Sequence, residues 1–476
     1  MIATQENRIE AAQGRLADLE RLQGLGLICK TGDFFPSVHY PPITMYSPIT
    51  EEALFRTYTV PDDGLFDIYA HIPFCQQRCL FCHYPVKLGK GREAEKDTYL
   101  AAMEKEMDIY MRRLGVDRIR ARSILVGGGT PTYLTPPQLT RFLRFFTDRV
   151  DLGGCTQFNY DVDPGTLVGT EGWERLHILR DFGVNRLTIG VQSLDDHILR
   201  IMNRAHDSAT AVESIENSRE LGFQVNIEFI FGHPGETLEN WMEVMEQAAS
   251  LEVEEIQLYR LKVDAYGDYQ GPIKKFSMMH PEQCPGLDDT LVMKQLAIDI
   301  LAEHGYHENL RRVFTRAREH YSHYAYNQCC ALYDEIGIGL TAFSSLRDRF
   351  GLNTQYFEEY YRKIEDGQLP LNRGIIRSPE EQMRWSIILP LKNTEVRKSL
   401  FAQRTGTSLD QVFRPKIEKL KNYALLTENE QELALTPLGT FFADEVAEQF
   451  NDPKYKPFPR SEYAEGPLNP YEDCEP

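Results

Sequence analysis

The sequence predicts an α/β fold of consecutive parallel βαβ units, followed by a small, separate α+β unit. Two observations carry this. Between residues 66 and 262, six short β-like runs alternate with stretches of helical periodicity. From residue 378 the pattern changes to three helices, a short hairpin around 428–435 and a last helix. Alternating strands and helices in the first region require parallel strands with helical crossovers, and ligands of such sheets bind on loops at the carboxyl ends of the strands.

The elements follow in order. Residues 5–24 read as one polar helix with Ile9, Leu16, Leu19 and Leu22 on one side. Residues 30–60 carry Phe34, Phe35, Pro36, Tyr40, Pro41 and Pro42, too many aromatics for a disordered linker, and read as an ordered arm lying over another surface. Strands are expected at 66–72, 123–127, 157–162, 186–191, 224–230 and 255–261, with helices including 95–113, 137–146, 171–182, 209–221 and 238–251. Residues 290–375 are mixed, with Gly337 and Gly339 closing a strand. The order of elements in 378–450 is that of a winged helix. The tail 451–476 holds six of the 26 prolines and no core-forming period. The expected divisions are an N-terminal helix and arm (1–64), a barrel (65–275), an extension closing the substrate site (276–375), a C-terminal domain (376–450) and the tail.

Composition removes several function classes. The 476 residues are 42% hydrophobic and 26% charged, as in a soluble globular protein. A net charge of −19 opposes a nucleic-acid partner, because phosphate binding needs a basic surface. No apolar run reaches membrane-span length; 385–391 is broken by Pro390. The charged N-terminus does not resemble a signal peptide. Nine cysteines are too few for a disulfide scaffold of this length, and the expected location is cytoplasmic.

Three of those cysteines, Cys75, Cys79 and Cys82, stand in a C-x3-C-x2-C cluster on the loop leaving the first strand. An eight-residue loop with thiolates at its first, fifth and eighth positions can wrap three corners of a cubane iron–sulfur cluster, leaving one iron open. Zinc is the competing reading, but it usually takes four ligands at a structural site, and His83 adjoins Cys82 too closely for a tetrahedral site. Other informative residues fall at strand ends: Gly127, Gly128 and Gly129 after the second, Asp161 and Asp163 at the third, Gln192 at the fourth.

Tyr69, His71, Pro73 and Phe74 before the triad, with Phe81 inside it, make this segment resemble the radical S-adenosylmethionine (radical SAM) signature, in its oxygen-independent coproporphyrinogen III oxidase (HemN)-like branch. The resemblance continues through Gly127–Gly129 with Thr130 and Thr132, Asp161 to Pro164, Asn185 to Ser193, Asn203-Arg204, Asn226 to Pro234, and Gly337 to Ser344. It implies a partial (β/α)6 radical SAM barrel with a small C-terminal winged-helix-like domain. It also implies a [4Fe–4S] cluster on Cys75, Cys79 and Cys82, and S-adenosylmethionine at one site or two. By the same resemblance Tyr69, Phe81, Gly128, Gly129, Thr130, Asp161, Gln192, Arg204 and Glu228 contact the first S-adenosylmethionine, and Phe343 stands near a second. Taken alone, three glycines make a plain loop, Phe81 and Phe343 are core aromatics, and lone acids at strand ends are caps. Asp161 and Glu228 depart from the family, which has Glu at the first position and Asp at the second; charge is kept and length is not.

The expected reaction is C-methylation or cyclopropanation of a natural-product intermediate. The alternatives are porphyrinogen decarboxylation and haem chaperoning. Against the decarboxylase, Tyr84 stands where its motif has a further cysteine. Against the chaperone, 324–330 lacks its His-Asn and Tyr-Trp pairs. A low-potential electron donor, flavodoxin or ferredoxin, is implied with a small-molecule substrate. Cys329 and Cys330 read as buried thiols, His233 as a polar loop residue, and the His320, Tyr321, His323, Tyr324 group as facing either substrate or core.

Overall fold

The computed structural model describes residues 5–28, 40–261, 263 and 272–455. Cys29, Phe34 to Pro36, Cys474 and most of the Pro-rich tail lie outside the described residues.

The N-terminal segment forms two helices, α1 (Gln5–Gln13) and α2 (Arg15–Gly24), where a single one was expected. Gly14 lies between them, a residue that costs a helix interior about 1 kcal/mol relative to alanine. The alternating region follows as β1 (Leu65–Ile72), α3 (Glu93–Leu114), β2 (Ile119–Gly128), α4 (Pro136–Arg149), β3 (Gln157–Val162), α5 (Gly169–Asp181), β4 (Arg186–Gln192), α6 (Ser208–Glu220), β5 (Gln224–Phe231), α7 (Leu238–Ser250) and β6 (Glu255–Arg260). The signals at the helix ends are local. Thr135 and Thr237 cap α4 and α7 through their side chains, and Gly115 ends α3 in the left-handed conformation (φ 68°).

Strands β1 to β6 are parallel and adjacent in chain order. A helix α8 (Leu287–Glu303) and the hairpin β7 (His307–Leu310) and β8 (Val313–Thr315) extend the sheet beyond β6. On the other side β9 (Glu335–Ile338) lies parallel to β1, and β10 (Phe343–Leu346), β11 (Arg349–Asn353) and β12 (Leu371–Ile376) continue antiparallel. The result is a six-stranded partial barrel with antiparallel wings.

Parallel strands in register present in-register residues to the same face. One face holds Ile68, Ile124, Phe158, Leu187, Ile189, Val225, Ile227 and Ile256, all buried under the helices in the main core. The inner face is polar: Asp67, Ser123, Asn159, Asp161, Arg186, Thr188, Asn226, Glu228 and Glu255 share it through the pairings Asp67 with Ser123, Asn159 with Arg186, Thr188 with Asn226, and Asn226 with Glu255.

The amino-terminal end of this lumen is closed by 320–328. Gln224 donates to the His320 carbonyl at 2.9 Å, and the His323 amide donates to Gln157 Oε1 at 2.9 Å. Asn327 and Gln328 donate to the two carboxylate oxygens of Asp67 at 2.9 and 2.8 Å. The His320 to Tyr324 group is therefore a plug at the end opposite the triad. Cys330 is buried in a small cluster with Leu310 and Val313, and His233 lies in the loop after β5, where it is wholly buried.

The C-terminal domain comprises α9 (Pro379–Asn393), β13 (Glu395–Arg397), α10 (Lys398–Thr405), α11 (Leu409–Asn422), β14 (Leu426–Glu428), β15 (Glu432–Leu435), a turn of helix at Pro437–Phe441 and α12 (Ala443–Glu448). Its three strands form their own antiparallel sheet, the wing. Leu19 and Leu22 of α2 and Tyr40 of the arm join its core. Tyr40 meets Tyr455 edge-on at 5.9 Å and its hydroxyl accepts the Asp452 amide at 3.3 Å, so the first described residue of the arm packs on the C-terminal domain.

Candidate active site

The triad loop leaves β1 at its carboxyl end. Phe74 and Cys75 form a two-residue strand, and the adjoining end of β2 is stitched to it: Gly129 donates to the Ile72 carbonyl at 2.9 Å and Thr130 to the Phe74 carbonyl at 2.8 Å. The glycines are required by space. A Cβ on Gly129 would stand 2.8 Å from Cys75 Sγ and from the Phe74 carbonyl. One on Gly128, at φ 119°, would stand 2.9 Å from the His71 ring, and one on Gly127 would stand 2.6 Å from Asp161 Oδ2. The Gly-rich turn therefore packs directly on the cysteine loop.

The cysteines are held from several elements. Thr130 Oγ1 approaches Cys75 Sγ at 3.5 Å, and the Cys82 amide donates to the Cys79 carbonyl at 3.1 Å. Arg204 donates to Cys79 Sγ at 3.0 Å, to Asp163 Oδ2 at 2.7 Å and to the Gly190 carbonyl at 2.8 Å. Asn203 donates to the Arg78 carbonyl at 2.7 Å, and Gln77 to the Asn203 carbonyl at 2.8 Å. The segment after β4 thus clamps the loop. Burial pushes the Cys75 thiol up to about 12 and raises that of Cys82.

Around them stand the strand-end residues. Tyr69 shares a hydrogen bond with His71 Nδ1 at 2.9 Å. Gln192 ends β4 with φ 70°, an uncommon conformation for a residue with a side chain. Asp161 accepts from Asn159 at 3.1 Å, and Glu228 from the Tyr259 hydroxyl at 3.3 Å. Both carboxyls are pushed up, first by burial. Asp161 repels the charged form of Glu228 in addition, while Arg186 opposes the shift at Asp161. Phe81 is half-buried on the triad loop. Phe343 packs at 5.1 Å on Phe350, beside Ile43, Tyr46 and Leu352.

Sequence reasoning names Asp163 and His71 but leaves out their roles: Asp163 anchors Arg204, and His71 underlies Gly128 and is held near 3 by burial. It also left out Arg186. This side chain is 2% exposed inside the lumen, donating to Asn159 Oδ1 at 2.6 Å, Thr188 Oγ1 at 3.0 Å and Glu255 Oε1 at 2.5 Å. Asp163 had a signal in the Asp-Val-Asp-Pro motif. Arg186 had one too, as a charge at the start of a strand buried on both faces.

Two observations test whether these residues fit a cluster and S-adenosylmethionine. Three buried polar atoms in the cleft have no protein partner among the described residues: His71 Nε2, Gln192 Oε1 and Arg204 Nε. Such atoms are rare without a ligand or water to satisfy them. Further, the donor set is three thiolates, the soft ligands that suit three irons of a cubane, whereas a structural zinc usually takes four ligands.

The comparisons agree. The radical SAM superfamily model matches residues 69–248, and the HemN C-terminal domain model matches 378–442. The heme chaperone HemW of Bacillus subtilis is 27% identical over 388 residues, covering 79% of this chain and 97% of its own. The oxygen-independent coproporphyrinogen III oxidase of Helicobacter pylori is 24% identical, covering 87% of this chain and 92% of its own. The solved structure of coproporphyrinogen III oxidase (HemN) from Escherichia coli superposes with a TM-score of 0.74 at 23% identity, over 88% of this chain and 96% of that one, which establishes the fold. The cofactors of the superfamily are a [4Fe–4S] cluster and S-adenosylmethionine. No described helix is long and apolar enough to cross a membrane. With this fold and this cysteine loop, the chain carries a radical SAM domain at 69–248 and a HemN C-terminal domain at 378–442.

Proposed function

We propose that the chain is a radical SAM oxidase of a porphyrinogen, removing carbon dioxide from a propionate side arm in the manner of an oxygen-independent coproporphyrinogen III oxidase. The observation that carries this reading is the extent of the likeness: the Helicobacter pylori oxidase matches 87% of this chain, reaching beyond the two domain matches. The expectation of methylation or cyclopropanation gains no support from the relatives reported above, which are named as oxidases and chaperones.

Cys75, Cys79 and Cys82 would hold the cluster. With S-adenosylmethionine bound, it supplies one electron and a 5′-deoxyadenosyl radical. The chain's own residues do the rest. Gly127 to Gly129 bring bare backbone to the methionine end of the cofactor. Arg204 suits its carboxylate, and Asp161 and Glu228 suit its ribose hydroxyls or amino group. Tyr69 and Phe81 flank the cleft. The polar plug at 320–328 and the apolar helix face keep the lumen closed from below, which excludes water from a reactive radical. An electron donor of the flavodoxin or ferredoxin type would load the cluster, and a second S-adenosylmethionine would require residues beyond those clustered at the triad.

The test is anaerobic incubation of the reduced holoenzyme with S-adenosylmethionine and coproporphyrinogen III, with products weighed by mass spectrometry. The expected result is porphyrinogen-dependent 5′-deoxyadenosine with a mass loss of carbon dioxide and hydrogen. An unchanged porphyrinogen beside an active cluster would refute the decarboxylase reading. The likeness to the Bacillus subtilis chaperone, over 97% of that protein, favours a second reading as a haem-binding protein. Stoichiometric haem binding with no porphyrinogen turnover would select it.

The buried acids of the lumen give a separate prediction. Burial raises Glu335 to about 8, although the Tyr324 hydroxyl donates to it. The folded protein therefore holds this proton to higher pH than the unfolded chain does. The stability it contributes is present below the ordinary glutamate range and is lost as pH rises towards 8. Lys392, lowered to about 7, works in the opposite direction above neutrality, so the clean comparison is between variants. Glu335→Gln should flatten the fall in melting temperature between pH 5 and 8 relative to wild type. Parallel curves would show that Glu335 ionises normally.

A further inference from the structure

The outer side of the triad loop is basic in an acidic chain. Residues 72–92, the loop and its return, contain Arg78, Lys87, Lys90 and Arg92, and residues 197–206, which clamp it, contain Arg200 and Arg204. All 71 aspartates and glutamates lie elsewhere, although the net charge is −19. These cations have different duties. Arg204 is turned inward onto Cys79 and Asp163. Lys87 and Arg92 share Glu95 in the first turn of α3. Lys90 and Arg200 are exposed. Lys90 has no ion pair among the described residues, and Arg200 donates to the Asp196 carbonyl at 3.1 Å, which leaves its charge unmatched.

Both positions are tied to the backbone of the cysteine loop. Leu88 pairs with Cys75, and Gly89 donates to the Cys75 carbonyl at 3.2 Å, which sets Lys90 beside the first cysteine. Leu80 donates to the Met202 carbonyl at 2.9 Å and Gln77 to the Asn203 carbonyl at 2.8 Å, which sets the short helix of Arg200, Asp196–Ile201, beside the rest of the triad. Tyr84, two residues past Cys82, is 55% exposed, an uncovered aromatic on the same loop. The inner side of the loop packs on Gly129. The half-buried thiols are therefore covered on the outside by a basic surface that carries one exposed aromatic ring.

We propose that this face docks the electron donor of the cluster, an acidic flavodoxin, with Lys90 and Arg200 steering it and Tyr84 meeting the apolar edge of its flavin. This docking rests on the reading of the triad as a reducible cluster and on no particular substrate. One electron leaves the reduced flavin and enters the cluster; no bond is made or broken. A flavodoxin offers the matching surface, an apolar flavin edge within a rim of carboxylates. Exposed charges of this kind act mainly on the rate of encounter and are screened by salt, and small, transient interfaces are usual between redox partners.

The test uses the reconstituted holoenzyme and a photoreduced flavodoxin, without porphyrinogen. It reads the affinity of the pair by calorimetry and the rate at which the cluster absorbance bleaches. Lys90→Glu with Arg200→Glu should lower both at least tenfold at low ionic strength. Wild type should fall towards the variant in about 1 M salt, where charges are screened beyond about 3 Å. Dithionite-driven 5′-deoxyadenosine formation should stay at the wild-type level in the variant. Lys105→Glu with Lys419→Glu, both exposed, on α3 and α11, changes the net charge equally and should be reduced as wild type is. Unchanged affinity and bleaching in the first variant, or an equal loss in the second, would overturn the proposal, as would no binding of flavodoxin to wild type. Should the first variant lose its cluster, wild type alone decides: carbodiimide should join flavodoxin carboxylates to Lys87 or Lys90, read by peptide mass spectrometry, and cross-links confined to other lysines contradict the face. Reduction that depends on Lys90 and Arg200, without porphyrinogen turnover, keeps this face and removes the proposed reaction. Porphyrinogen turnover with reduction indifferent to both residues does the reverse.

Discussion

Cys79→Ala is expected to leave the protein folded but unable to retain a four-iron cluster, with 5′-deoxyadenosine formation at background, a loss of about a thousandfold or more, equivalent to about 4 kcal/mol of lost barrier reduction. The cubane needs all three thiolates, and Cys79 is the one whose sulfur accepts from Arg204. Nothing in the core depends on it, because the loop is also held by the Gly129 and Thr130 amides and by Asn203. Iron and sulfide content, the melting temperature and the 5′-deoxyadenosine yield separate loss of cluster from loss of fold. A variant that keeps four irons and cleaves S-adenosylmethionine would refute the assignment of the triad.

Arg186→Met should cost about 3–5 kcal/mol of stability, the usual consequence of leaving one partner of a buried pair charged and alone. Glu255 is fully buried, and Arg186 is what offsets the burial that raises its pKa. Arg186 also opposes the upward shift of Asp161, so its loss should leave Asp161 protonated to higher pH and weaken S-adenosylmethionine binding. Urea unfolding of Arg186→Met, and of Arg186→Met with Glu255→Gln, tests the first claim. The double variant should recover most of the stability, since it removes the stranded charge. Equal destabilisation of both would show that packing rather than charge carries the effect.

The parts legible in the sequence are those whose cause is local. The triad is a matter of spacing, the strand ends are marked by Gly127 and Asp163, and the crossover helices show their own period and caps. The six barrel strands were placed within a few residues, and β3 at its observed bounds. What was not legible depends on residues far apart in the chain. Strand β9 pairs with β1 although more than 260 residues separate them, and no local pattern announces that it is parallel. The polar lumen is the second case. Asn159, Arg186 and Glu255 come from three strands and make sense only once register puts them on one face. The aromatic group at 320–324 was open between substrate and core because its composition suits both. Its backbone bonds to Gln157 and Gln224, the first residues of β3 and β5, place it at the end away from the triad.

The most direct test of the central claim is made on the anaerobically reconstituted, dithionite-reduced wild-type protein with S-adenosylmethionine. The account predicts 5′-deoxyadenosine and methionine in equal amounts, formed only when the four-iron cluster is present. A protein with a complete, reducible cluster on Cys75, Cys79 and Cys82 that yields no 5′-deoxyadenosine, with or without coproporphyrinogen III, would contradict it.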